Sequence, residues 1–363
     1  MTEMNITLQQ NNVRQQPVQE EKSFWTRAKE YAMSLFSEIA DFFSGEDDAK
    51  PAKTTEIPLI RDISDEQIMQ QNTRSKYIIV TKNPNYKIQK GDNISKIAAK
   101  FGVQPAAVMA VNGLDEKSAV KIRAGQSLKI PPTRTPKNIN TLKDVAKSMG
   151  VSNEFILGIK RIEDGKELKD TQFHNTPYND KGKTKTIGIG HVWKKGEPEY
   201  LNNKQVLEQF AKDLIKAEDH LRVLMGGEKN YDKLPASLKE ALLDMTFNKG
   251  TDIIKNTEGL LWCLKNGKYE AAICKMTNNV SAATKQPMSG LSKRRLFDMA
   301  TASKMYNGNI PKSITNTAQR VYNDGIRLLR LEYPDKTEFA AQLADYNRDV
   351  KSFWGSKVKL ITK

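Results

Sequence analysis

Apolar residues recur at three- and four-residue intervals along most of this chain, the spacing of one face of a helix. The first such stripe, in residues 23–45, is built from Phe24, Trp25, Tyr31, Leu35, Phe36, Ile39 and Phe43 and stops at Ser44-Gly45. Its opposite face mixes Arg27, Lys29, Glu30, Glu38 and Asp41. A membrane-surface helix would carry mainly Lys and Arg there, so the stripe reads as a docking surface for a protein partner or for the chain itself. Before it, residues 1–22 are rich in Gln, Asn and Glu and bury too little apolar surface to offset the entropy of ordering, which predicts a disordered arm. After it, residues 46–76 carry Pro51, Pro58 and many charges and read as linker.

The pattern then changes twice. Residues 77–132 read as strand, helix, helix, strand, with Gly91 and Gly125 at turns and a small core of Ile94, Ile97, Ala98, Phe101, Val108 and Leu128. Lys82-Asn83-Pro84-Asn85 interrupts this module after Tyr77-Ile78-Ile79-Val80, which alters its first strand. Residues 133–140 read as a second linker. Helical spacing resumes at Thr141 and predicts helices over 204–225, 234–248, 257–265, 268–277 and 291–307, broken at glycines. One stretch in this main domain, residues 141–309, departs from it. Turn residues Asn179, Asp180 and Gly182 precede Thr186, Ile187 and Ile189, β-branched strand formers separated by Gly188 and Gly190, which predicts a small β-hairpin. A helix running from Val151 through Ile156, Ile159 and Ile162 stops at Asp164-Gly165 and places Glu163 on its last turn, facing that hairpin. Residues 310–363 add two helices, 315–332 and 337–353, read as an accessory extension and a second possible partner surface. Many helices and one hairpin make an α+β fold.

Charge narrows the partners. A formal net charge of +15 and a pI near 9.5 favour an anionic partner: nucleic acid, an acidic membrane surface or the bacterial wall. The basic residues are dispersed and have no aromatic stacking platform, which argues against nucleic acid. No apolar run approaches the roughly 18 residues of a membrane span. Cys263 and Cys274 are too few for a disulfide framework, and the three histidines do not cluster, so no metal or other cofactor is expected. His191 is assigned to packing and hydrogen bonding in the hairpin. The N-terminus, Met1-Thr2-Glu3-Met4-Asn5, shows no secretory signal; action on a wall then requires release, injection or carriage in a virion.

Two carboxylates from two elements, Glu163 and Asp180, suit glycoside hydrolysis, in which one carboxyl protonates the leaving oxygen and a second group attacks or aligns a water. A Glu at a helix end against Ile162 can stay protonated, a turn Asp in water stays ionised, and Thr186 can help to hold the water. Gly188 and Gly190 leave room for something to approach the backbone. Asp164 is the rival acid, a shorter and intrinsically stronger one, and Glu167 a weaker third candidate. Lys293, Arg294 and Arg295 read either as a solvated helix start or as forked donors to anionic groups of a ligand, and Asn248 as a sugar contact or a helix cap.

Two resemblances fit these readings. Lys90-Gly91-Asp92-Asn93-Ile94, Phe101-Gly102-Val103, Asn112-Gly113 and Ala124-Gly125-Gln126-Ser127-Leu128-Lys129-Ile130-Pro131 resemble a LysM domain. The resemblance implies binding of N-acetylglucosamine-containing glycans between the loop of Gly91, Asp92, Asn93 and Ile94 and that of Asn112, Gly113, Leu114 and Asp115. The helix-end acid, Tyr178-Asn179-Asp180, Thr186-Ile187-Gly188-Ile189-Gly190-His191, the segment Ala241-Leu242-Leu243-Asp244-Met245-Thr246-Phe247-Asn248-Lys249-Gly250 and Gly290-Leu291-Ser292-Lys293-Arg294-Arg295 are similar to the phage-type lysozymes. This implies a lysozyme-like fold and a muramidase that cuts the β-1,4 bond between N-acetylmuramic acid and N-acetylglucosamine. Glu163 is then the general acid, and Asp180 and Thr186 place the water. Gly188, Gly190, Asn248, Arg294 and Arg295 are implied substrate contacts, peptidoglycan strands the partner, and inversion the outcome, with carboxyls about 6.5–9.5 Å apart. The interval from Glu163 to Asp180 is longer than the family's, so an insertion at 170–176 is expected to loop out. Two other readings remain open, a lytic transglycosylase and a non-catalytic wall-binding part of a phage tail or injection device.

Overall fold

The computed structural model describes residues 76–164, 168–179, 184–281 and 284–362. The expected arm, the aromatic helix, the first linker up to residue 75, Glu167 and Asp180 lie outside the described residues.

The first module runs β1 (Ile78–Thr81), β2 (Tyr86–Lys87), α1 (Ile94–Lys100), α2 (Pro105–Val111), α3 (Glu116–Ala119) and β3 (Ser127–Leu128), followed by β4 (Thr133–Pro136). Asn93 starts α1 by accepting from the Lys96 backbone N–H at 2.8 Å, and Pro105 opens α2 where no N–H is needed. β2 and β3 pair antiparallel, Tyr86 opposite Leu128, and cover a core of Ile88, Ile97, Ala98, Val108 and Ile130. α3 was not anticipated: a four-residue helix is too short to show a period, and it exists because Asp115 and Ser118 cap it reciprocally.

β1 and β4 correct the reading of 133–140 as linker. Thr133 to Pro136 is a strand, paired antiparallel with β1 so that Ile78 faces Pro136 and Thr81 faces Thr133. β-branched Thr133 and Thr135 suit the strand, and Ile78 and Ile139 sink into the large core of the main domain, which anchors the ribbon there. β1 thus leaves the small module's sheet, and the interrupting Asn83 ties back by donating to the Pro131 carbonyl at 2.8 Å.

The main domain continues with α4 (Leu142–Met149), α5 (Asn153–Asp164), β5 (His174–Asn179), β6 (Lys185–Gly188), β7 (His191–Val192), α6 (Asn203–Leu224), α7 (Glu228–Asp232), α8 (Ala236–Lys249), α9 (Asp252–Lys255), α10 (Leu260–Lys265), α11 (Tyr269–Cys274), α12 (Ser289–Ser303), α13 (Lys312–Glu332) and α14 (Lys336–Trp354). It is an α+β arrangement of many helices and a three-stranded antiparallel sheet in the order β5-β6-β7. The expected hairpin gains a strand, and the insertion does not loop out as a whole. Residues 174–176 form the first half of β5, with His174 opposite Gly188 and an irregularity between His174 and Tyr178 that absorbs the mismatch.

The last two helices are not an accessory. Ile314, Ala318, Tyr322, Leu343, Val350 and Trp354 belong to the same buried cluster as Leu242 and Leu296. A Cβ on Gly325 would stand 2.0 Å from the Tyr346 hydroxyl, so α13 and α14 meet through a glycine, and Trp354 Nε1 donates to the Leu296 carbonyl of α12 at 2.9 Å. No helix among the described residues is long and apolar enough to cross a membrane.

Candidate functional site

The site is set by how closely α5 approaches α12. A Cβ on Gly158 would fall 2.3 Å from the Phe297 ring, and Phe155 stacks on that ring at 6.1 Å, so the two helices cross through a glycine and an aromatic pair. The C-terminal turn of α5 is thereby brought beside the first half of α12, where Arg294 projects. Arg294 donates from Nε and Nη2 to the Asp244 carboxylate of α8 at 2.8 and 2.6 Å, and from Nη1 to Glu163 Oε1. Burial alone would make the guanidinium easier to deprotonate; the charges of Asp244 and then Glu163 reverse that and push its pKa up. Glu163 is therefore held by a permanent cation bridged to a second helix.

The acidic pair separates. The Glu163 side chain is 18% exposed and lies against the turn between β6 and β7, where a Cβ on Gly190 would come 2.9 Å from Glu163 Oε2. The Asp164 side chain is 0% exposed, with Lys160 Nζ 3.1 Å from its Oδ2. Burial pushes the Asp164 pKa up to about 6 against the pull of Lys160, which also donates to the Lys169 carbonyl at 2.9 Å. Asp164 points inward and Glu163 toward the sheet. Thr186 sits in the central strand opposite Tyr178 and Val192; it is buried, and among the described residues its Oγ1 has no hydrogen-bond partner. Gly188 (φ +64) leaves space for Val206 of α6, whose Cγ1 would be 3.0 Å from an added Cβ.

His191 on β7 packs and bonds within the hairpin region. Its Nδ1 lies 2.8 Å from Asp213 Oδ2 of α6 and its Nε2 3.3 Å from Glu197 Oε2, while Gln209 donates to Asp213 at 3.1 Å. The bond to Asp213 raises the histidine's pKa, outweighing its burial.

Arg294 and Arg295 correct the expectation that they meet substrate as open donors. Both are buried: Arg294 is spent on Asp244 and Glu163, and Arg295 Nε lies 3.0 Å from Asp298 Oδ2 with Nη2 donating to Asn248 Oδ1 at 3.4 Å. Asn248 is thus tied to α12 while remaining partly exposed. Lys293 pairs with Asp349 of α14 at 2.6 Å. Two residues of this neighbourhood were missed. Asp244 could have been found, since an aspartate set among Leu242, Leu243 and Met245 on a helix with no polar face needs a buried partner. Lys249, whose pKa burial and then Arg295 and Arg294 lower to about 8, gave no sequence signal.

In the first module the polar side chains singled out are occupied. Asp92 accepts from the Tyr86 hydroxyl and the Gln89 N–H, both at 2.8 Å. Asn112 donates to the Val108 and Lys129 carbonyls and accepts from the Lys129 N–H, closing its loop onto β3's end. Asn93 caps α1, Ile94 is buried, Leu114 packs on the module's core, and Gly91 and Gly113 carry φ of +86 and +63.

Two family models match segments of this chain. Residues 86–131 match the LysM domain model, and residues 170–297 match the phage lysozyme model, a segment that begins after Glu163 and takes in Thr186, Asp244 and Arg294. Among solved structures, the active form of the P1 phage endolysin Lyz is similar at 15% identity, covering 47% of this chain and 98% of its own, with a TM-score of 0.38. An endolysin from the Escherichia coli O157:H7 phage FAHEc1 is similar at 16% identity, covering 43% and 94%, with a TM-score of 0.32. No curated protein matches the chain. By its two family matches, this chain carries a LysM domain followed by a domain of the phage lysozyme family.

Proposed function

We propose that this chain is a peptidoglycan hydrolase that cuts glycan strands as a muramidase, at the β-1,4 bond between N-acetylmuramic acid and N-acetylglucosamine, and binds the same polymer through its LysM domain. The observation that carries this reading is Glu163: a partly exposed carboxylate on the last turn of α5, gripped by a buried arginine and set against the Gly190 turn. Arg294 occupies Oε1, so Oε2, on the Gly190 side, is the atom that holds the catalytic proton. As the glycosidic C–O bond breaks, that proton passes to the leaving oxygen. A water held by Asp180 and the Thr186 hydroxyl forms the new bond at the anomeric carbon from the opposite face and gives its proton to Asp180, inverting the centre. The buried Thr186 Oγ1, without a partner among the described residues, supports its assignment to the water. In the LysM groove, where Asp92, Asn93 and Asn112 serve the fold, contact with N-acetyl groups falls to the backbone at Gly91 and Gly113 and to Leu114. The substrate lies in the bacterial cell wall, and the protein acts there.

The test is muropeptide release from purified sacculi. Wild type releases them with ordinary reducing ends; Glu163→Gln loses activity by about 10²–10⁴-fold, the range of a missing general acid, while Asp164→Asn keeps most of it. Equal losses in both variants would remove Glu163 from its role. Anhydro ends on the products would make the enzyme a lytic transglycosylase, and no release from wild type would leave a wall-binding component.

A further inference from the structure

The LysM domain is not hung on a tether. The chain enters it through β1 and leaves it through β4, and these two strands pair with each other along their full length. Both are fixed on the main domain: Ile78 and Ile139 lie in its core, and the Tyr77 hydroxyl accepts from Lys147 Nζ of α4 at 3.4 Å. From the middle of β4, Arg134 donates through Nη1 to Glu218 at 2.7 Å and through Nη2 to Asp219, two buried carboxylates on α6. Arg222 of α6 also donates to Glu218, at 3.2 Å, and faces Glu228 and Asp232. A forked guanidinium between paired carboxylates fixes direction as well as distance. A second region locks the far side. The Ala110 carbonyl at the end of α2 would be 3.4 Å from a Cβ on Gly227, so the LysM helix and the α6–α7 turn run almost backbone to backbone. Beyond it, Lys255 of α9 pairs with Glu116 of α3 at 2.6 Å, one residue past the loop that forms one wall of the LysM groove.

We propose that the LysM domain and the lysozyme domain form one rigid glycan-reading body, locked by Arg134, so that a strand engages both sites only in a fixed spacing and the protein selects strands by length. This rests on the glycan-binding reading of both domains. A flexible tether would raise the local concentration of a second site over a range of spans, and affinity would climb gradually as strands lengthen. A fixed gap gives nothing until a strand bridges it, then the full gain at once.

Two measurements on the full chain test this. In ¹⁵N relaxation, backbone amides of 86–131 share one rotational correlation time with those of the main domain; a shorter time for the LysM amides would overturn the proposal whether or not the protein cleaves glycan. In calorimetry with size-graded, peptide-free glycan strands and the Glu163→Gln variant, affinity rises about 10²-fold at one threshold length. Arg134→Ala removes the step and shortens the LysM correlation time. Because that change leaves Glu218 and Asp219 without their cation, Arg134→Ala/Asp219→Asn provides the same comparison with less buried charge. A gradual rise in the parent protein, or a step unchanged in both folded Arg134 variants, would overturn the proposal. Absence of cleavage by wild type would instead count against the hydrolase reading alone.

Discussion

At Gly190 two demands coincide: a left-handed backbone, φ +68, and a neighbour, Glu163 Oε2, that would stand 2.9 Å from any Cβ. Gly190→Ala therefore strains the turn by about 1–2 kcal/mol and pushes the carboxylate aside, and a misplacement on the order of 1 Å costs about 10²-fold in rate. The expected result is a protein that still folds, with a modestly lower melting temperature and at least that loss in muropeptide release; wild-type turnover would mean that Glu163 does not depend on this contact. The sequence showed that a hairpin needed glycines but not what Gly190 makes room for, because the reason lies on another element. The arginines failed for the same cause. Lys293-Arg294-Arg295 has the composition of a solvated helix start, and only the approach of α8 and α5 turns Arg294 into the clamp between Asp244 and Glu163. The choice of Glu163 over Asp164 rests on the run Ile159-Lys160-Arg161-Ile162, which leads into Glu163 as in the phage-type lysozymes it resembles, and on the fitness of a glutamate for the acid role; the geometry adds that Asp164 is enclosed with Lys160.

Among elements, β7 depends most on a single titrating group. His191 links it to α6 through Asp213, and that bond raises the folded-state pKa above the ordinary 6.5. A raised histidine pKa contributes stability that is fully present below the unfolded value and is lost as pH rises through the folded one. Urea midpoints should therefore fall as pH climbs from below 6.5 to above the folded pKa, and Asp213→Asn should flatten that slope and cost about 2 kcal/mol on the acid side, as expected for a hydrogen bond to a charged group. An unchanged slope in Asp213→Asn would assign the pH dependence elsewhere. Long helices such as α6 and α13 were legible because their apolar spacing persists over several turns. α3, β4 and the first half of β5 were not. Each is shorter than a reliable period and exists through a cap, a cross-strand partner or a bulge supplied from elsewhere.

For the whole molecule, the question is where the cooperative unit ends. Helical spacing past Pro311 identified α13 and α14 but not their depth, since an amphipathic helix looks the same whether it covers a core or awaits a partner. Here they cover one. Ile314, Tyr322 and Val350 are fully buried with Leu296 and Leu242, and Trp354 both fills space and donates its indole N–H to the carbonyl of Leu296, two residues after the arginine that holds Glu163. Loss of that indole therefore acts on the main domain's stability and, through α12, on the site. Trp354→Ala should cost about 3–5 kcal/mol, the range for emptying a large aromatic from a core; Trp354→Phe, which keeps most of the volume and drops the hydrogen bond, should cost about 1 kcal/mol. Urea unfolding followed by both circular dichroism and muropeptide release should give coincident curves for each variant, with both midpoints shifted by the same amount. If Trp354→Ala unfolded its last two helices in a separate, earlier transition while activity persisted, α13 and α14 would be an independent cover; a single shifted transition makes them part of the scaffold that positions Arg294.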